Sequence, residues 1–290
     1  MKKNFLSTMG KTLVIALIGM SLVTFTGCKE NTDEPVTPDP DPVNPGGGGN
    51  GGGNNGGGNE STDTWAHLVN ETVYEAQVDG NTLKYGDHVY TVEGEIDFDS
   101  YVYNQPTAYV TFTNVPSGYT EFEAVYNGLL GKSIQGTAAM IPMAFEIYAR
   151  DAATGEKCLN LLCWPSAVPD IIRELKQKLV PSQYAPANDQ YIQRYLPAAV
   201  LKGAANTNAY KPNEPYTVEM CKGTNGIQDA PLTGGTDYYT FILAPGGWDT
   251  FQRSVEIFQA YSEQTYYKVF NCPATYSQCK VIQGTWEGLK

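Results

Sequence analysis

The chain has 290 residues, with 19 Lys plus Arg against 31 Asp plus Glu for a net charge of −12, and it is 41% hydrophobic and 12% aromatic. That acidity excludes nucleic acid as an expected partner, because attraction to a phosphate backbone draws on clustered cationic side chains. The apolar share is ample for a packed core, so a folded domain is expected somewhere in the chain.

Residues 1–27 hold Lys2, Lys3 and Lys11, no acidic residue, and then an apolar run from Leu13 to Phe25. This is the layout of a secretory signal peptide, and the run is too short for a comfortable membrane span. It ends in Thr24-Phe25-Thr26-Gly27-Cys28, which resembles the bacterial lipobox, with Phe25 standing where an aliphatic residue is usual. The resemblance implies cleavage before Cys28, lipidation of its sulfur, and a membrane as the partner of that anchor. The following Lys29-Glu30-Asn31-Thr32-Asp33-Glu34 resembles the Lys-plus-acid signal that sends Bacteroidota lipoproteins to the cell surface. The expectation is an outer-membrane lipoprotein displayed outside the cell, with a periplasm-facing anchor as the alternative.

From Cys28 to Thr64 the chain runs through Pro-Asp repeats into blocks of Gly broken by Asn. Almost nothing there could offset the entropy of ordering, so a disordered tether is expected, extended in its Pro-rich part and coil-like in its Gly-rich part. Residues 65–290 then form the folded part, as one domain or two intimately packed subdomains.

Within it, Tyr90, Val92, Gly94, Ile96 and Phe98 alternate with Thr91, Glu93, Glu95, Asp97 and Asp99, and Ala108, Val110 and Phe112 alternate with Tyr109 and Thr111. Period two predicts two strands, paired through a hairpin at Tyr103 to Pro106. A helix is predicted from about Pro142 to Ala149. Ile171, Ile172, Leu175 and Leu179 fall at helical spacing behind Pro169, as do Ile192, Tyr195, Leu196, Ala199 and Val200, with Pro197 kinking or splitting that stripe and Gly203 ending it. Strands are predicted again at Tyr239 to Leu243, Ser254 to Gln259, Tyr266 to Asn271 and Lys280 to Gln283, as a meander. Strands, helices, then strands is the α+β pattern, here antiparallel sheet with two to three helices packed on one side.

The segments Gly128 to Met140 (GLLGKSIQGTAAM), Lys202 to Asn206 (KGAAN) and Pro212 to Tyr216 (PNEPY) resemble a family of secreted bacterial lipoproteins, of Bacteroidota type, that carry a domain of unknown function. The resemblance spans roughly Glu121 to Lys290. It implies no catalytic residues.

Motifs for chemistry are sparse. Gly131-Lys132-Ser133 ends like a phosphate loop, but Tyr126 stands where the first glycine is required. Glu93, Glu95, Asp97 and Asp99 would line one strand face about 6.6 Å apart, and a line is not a cage for a hard cation. His67 and His88 have no zinc spacing, and there is no nucleophile elbow. No catalytic residue, metal ligand or cofactor is therefore assigned. Cys158, Cys163, Cys221, Cys272 and Cys279 leave an odd thiol in an oxidising compartment. Cys272 and Cys279 flank a short loop and can close a bridge if their Cα atoms approach within about 7 Å, whereas Cys158 and Cys163 would face opposite sides of one strand and stay free.

Aromatic residues are the positive signal. In Tyr101/Tyr103, Tyr238/Tyr239 and Tyr266/Tyr267 one ring of each pair is expected to reach solvent, which makes Tyr101, Tyr103, Tyr239 and Tyr267 the candidate ligand-binding residues. The leading expectation is a binding module for a glycan, peptide or protein. The alternatives are a hydrolase of polysaccharide or envelope polymer built on an Asp/Glu pair, and a structural envelope component.

Overall fold

The computed structural model describes residues 71–179 and 194–290. The expected signal peptide, lipidated Cys28, tether, His67 and Ile192 lie outside the described residues.

Strands β1 (Gln77–Asp79), β2 (Thr82–Tyr85) and β3 (His88–Gly94) form two tight hairpins, and β3 pairs with β4 (Ala108–Phe112). The β3/β4 pairing follows the predicted alternation, but β3 stops sooner than period two suggests. Gly94 has φ +67° and lies so close to Thr107 that a Cβ there would come within 2.3 Å of the Thr107 carbonyl oxygen. The backbone turns at this residue, so Glu95, Asp97 and Asp99 leave the strand and the expected carboxylate stripe does not form. Asp97 instead accepts from the amides of Asp99 (3.0 Å) and Ser100 (3.1 Å) and from the Ser100 hydroxyl, which together lower its pKa.

After β4 the chain leaves the sheet for a helical excursion whose described α-helices are α1 (Tyr119–Gly128), α2 (Ile134–Arg150), α3 (Ala152–Leu162) and α4 (Val168–Lys178). The Ser133 hydroxyl accepts from the Gly136 amide at 3.1 Å and caps α2. The helix predicted from Pro142 is the second half of α2, and Pro142 sits inside it at the cost of one backbone bond. Every residue from Gln135 to Ala149 is buried. A helix buried on all sides is a core element, and α2 is the post around which the domain packs. Helix α3 crosses it so closely that a Cβ on Gly155 would lie 2.3 Å from the Tyr148 Cα. Helix α4 starts with Pro169 in its first turn and buries Ile171 and Leu175, as its periodicity requires. Of the second predicted stripe, Pro197 to Val200 form a buried 3-10 turn in place of a continuous helix, because Pro197 cannot extend one.

The chain then returns through β5 (Tyr216–Ala230), β6 (Gly235–Leu243), β7 (Gln252–Ala260) and β8 (Lys268–Asn271). Among the described residues the eight strands make one antiparallel sheet in chain order, the helices being inserted between its central strands β4 and β5. The fold is α+β with a meandering antiparallel sheet, as expected, and with four α-helices among the described residues. Val110, Val218, Ile242, Val255, Ile257 and Val269 point to the helices and are fully buried. Residues 280–283 are not a strand; Lys280 N–H donates to Gly247 O (2.8 Å) and Gln283 N–H to Asn206 O (2.8 Å).

All five described cysteines are buried free thiols, so the Cys272/Cys279 bridge is not formed. Cys158 lies in α3 and Cys163 caps its end, not on a shared strand, and Cys163 pairs in parallel with Val269 at the sheet edge. Among the described residues no helix is long and apolar enough to cross a membrane.

Candidate ligand-binding face

Side chains alternate along β6 and β7, so Tyr238, Thr240 and Ile242 lie on the core side while Asp237, Tyr239 and Phe241 project from the other face. The β6/β7 register sets Tyr239 opposite Glu256 and Asp237 opposite Phe258, which brings Glu256 and Phe258 onto that same outward face. One strand further, Phe270 and Asn271 extend it.

Phe258 has no accessible surface although it projects away from the core, because Trp164 and Phe270 cover it. Their ring centroids lie 4.6 Å and 5.7 Å from its own. Trp164 reaches this face because its backbone N–H donates to Val269 O at 2.8 Å, which binds the link after α3 to the β8 edge. Trp164, Phe270 and Tyr239 are themselves half-buried and present ring surface to solvent. The result is an aromatic shelf with a polar edge.

The polar edge consists of Asp237, Glu256 and Asn271. Tyr239 O–H donates to Glu256 Oε1 at 3.2 Å. Asp237 and Glu256 are diagonal neighbours on adjacent strands, with Cα atoms about 7–8 Å apart. Partial burial raises the pKa of Asp237. It also raises that of Glu256, to which the negative charge of Asp237 adds. Burial and then the two carboxylates raise the Tyr239 phenol. Asp237 Oδ1 is shielded from solvent and meets no donor among the described residues. Two partly desolvated carboxylates, a phenol and an amide beside ring faces can accept several hydroxyl hydrogen bonds while a flat ligand lies on the shelf.

Of the candidates from sequence, Tyr239 lies in this arrangement. Tyr267 lies on the opposite, helix-facing side, its ring 5.6 Å from that of Tyr238. Tyr101 and Tyr103 stand in the connection from β3 to β4, 43% and 67% exposed. The Tyr101 hydroxyl oxygen accepts from Gln252 Nε2 at 2.9 Å, near the other end of β7, so the four tyrosines do not converge. Sequence reasoning missed Trp164, Asp237, Glu256 and Phe270. The alternations Asp237-x-Tyr239-x-Phe241 and Ser254-x-Glu256-x-Phe258 carried part of this information, and nothing in the sequence announced Trp164.

A second cluster surrounds Glu121 in the first turn of α1, which is 2% exposed. It lies within 2.6 Å of His88 Nδ1, and accepts from Tyr90 O–H (2.7 Å), the Ser117 amide (2.8 Å) and the Ser117 hydroxyl (2.8 Å). Burial and Glu121 push the Tyr90 phenol well up. With four partners the carboxylate is saturated, and its effect is to pin α1 to β3. Among the described residues no group of three or more His, Cys, Asp or Glu side chains could hold a metal ion.

No match to the chain is found among curated proteins or among solved structures. Residues 114–283 match the model of a family described as a domain of unknown function, DUF6935, a span that includes Trp164, Asp237, Tyr239, Glu256 and Phe270. The chain belongs to the DUF6935 family.

Proposed function

We propose that this protein is an exported binding module that captures a glycan on the outward face of β6 to β8. The observation that carries the reading is the shelf of Trp164, Phe270 and Tyr239 edged by Asp237, Glu256 and Asn271. Aromatic faces stack on the apolar faces of sugar rings, and carboxylates and amides take the ring hydroxyls. The whole arrangement falls within the family match, whereas the Glu121 cluster draws on β3, which precedes it. The N-terminal sequence supports the setting: a signal peptide, an acylated Cys28 and a long tether would hold such a face away from an outer membrane, on the cell surface. The test is a retention assay of the purified chain on a panel of polysaccharides, with analysis of the solution for products. Retention without products supports capture. No retention on any member contradicts it.

A second reading has one observation in its favour, the raised pKa values of Asp237 and Glu256, since a carboxyl that holds its proton longer can serve as a general acid. A hydrolase built on this pair would release shortened products, and Asp237→Asn would abolish their release while leaving retention measurable.

A further inference from the structure

Glu121 and Glu146, the buried glutamates among the described residues, each have a basic partner: His88 lies 2.6 Å from the first and Arg150 3.3 Å from the second. Asp237 and Glu256 on the outward face are half-buried, and neither forms an ion pair among the described residues. The surroundings offer none. From the Gly235/Ala260 pair to the Leu243/Gln252 pair, the outward positions of β6 and β7 hold these two carboxylates and no Lys or Arg. Gln228 stands opposite Asp237 on β5 and Asn271 opposite Glu256 on β8, so the flanking strands add amides and no cation. Lys222 is opposite Thr240, on the core side of the sheet. Lys268 is set opposite Phe258, but its ammonium donates to Leu161 O and lies over the Tyr126 ring of α1, 4.7 Å from the centroid, so it is committed to the helices.

The face therefore carries negative charge that the chain itself does not balance. Burial works against ionisation of both groups, and the charge of Asp237 works further against that of Glu256. A cation brought by a ligand would offset both effects. With Cα atoms about 7–8 Å apart, the two side chains can both reach one ammonium seated between them, and each can take a charge-assisted hydrogen bond from it. The ring faces of Tyr239 and Phe270 favour the same sign of charge. Neutral hydroxyls gain only ordinary hydrogen bonds here, and an acidic glycan is repelled.

We propose, building on glycan capture at this face, that its ligand is a glycan with free amino groups, of the glucosamine class, whose ammonium sits between Asp237 and Glu256.

The test is calorimetric titration of the full-length protein at pH 6, in a sugar-free detergent, with a β-1,4-linked glucosamine hexamer, its N-acetylated counterpart, cellohexaose and a lysine hexamer. The three sugars share one backbone and differ in the substituent on one ring carbon. The glucosamine hexamer should bind about tenfold tighter than the N-acetylated one. Glu256→Gln, shown to be folded by circular dichroism, should shrink that ratio below about threefold. Asp87→Asn, which removes a 96% exposed carboxylate in the turn between β2 and β3, should leave it unchanged and so controls for the acidity of the whole chain. No binding of the glucosamine hexamer, equal affinity for the sugars, a ratio that survives Glu256→Gln, or equally tight binding of the lysine hexamer would each overturn the proposal. Uncharged hexamers bound as tightly, and weakened by Tyr239→Ala, would leave capture at this face standing and remove only the preference for amines. Absence of binding by every sugar, together with no retention on any polysaccharide, would remove capture as well.

Discussion

Asp237 and Glu256 show at the level of single residues how the proposed binding surface is held at some cost to stability. Their folded pKa values are raised by burial. A carboxyl whose pKa is higher folded than unfolded favours the folded state fully below its unfolded value, about 3.9 for Asp and 4.3 for Glu, and loses that contribution as pH rises through the folded value. The Asp237→Asn/Glu256→Gln variant should therefore match the parent in urea unfolding near pH 3 and exceed it at pH 7, while losing glycan retention. A variant less stable than the parent at pH 7 would show that the pair is held for structure. Glu121 presents the opposite case, since its carboxylate serves two hydroxyls, one amide and His88 in a buried site. Glu121→Ala should cost about 3–5 kcal/mol in the same assay, as expected when one member of a buried charged network is removed. Neither site was legible from spacing, because Asp237 and Glu256 meet only across β6 and β7, and Glu121 meets His88 across 33 positions. Tyr239 was legible because paired tyrosines on a strand must face opposite sides.

Among the elements, α1 and α3 were not anticipated from the sequence, and α2 only in its second half. Pro142 reads as a helix start, yet the helix begins at Ile134 behind the Ser133 cap. Burial on all sides also removes the amphipathic stripe by which a surface helix is recognised. Helix α4, with one wet side, kept that stripe and was found, as were β6, β7 and β8. Strand β5 was missed because a bulge between Lys222 and Ile227 breaks its alternation. Two substitutions probe α2 through thermal or urea unfolding. Ser133→Ala should remove the cap and cost about 1 kcal/mol. Gly155→Ala should cost more than Ser133→Ala, because its Cβ would collide with the Tyr148 backbone and the two helices cannot separate without opening the core. Equal, small effects would mean that the α2/α3 crossing is looser than the structure indicates.

For the molecule as a whole, a meandering sheet packed on a buried helix leaves one broad sheet face that no helix covers among the described residues, and the chain places rings and carboxylates there. The α+β class was readable because strand and helix periods separate cleanly along the chain. The exit and re-entry of the chain between β4 and β5 was not, since pairing such as Val110 with Val218 joins residues more than a hundred positions apart. Glycan capture on the outward face of β6 to β8 is read from affinity electrophoresis on the polysaccharide best retained by the parent chain. Tyr239→Ala should weaken retention about tenfold, while Tyr103→Ala, a more exposed tyrosine in the connection from β3 to β4, should leave it unchanged. Equal retention by Tyr239→Ala and the parent, with both folded, would contradict the claim.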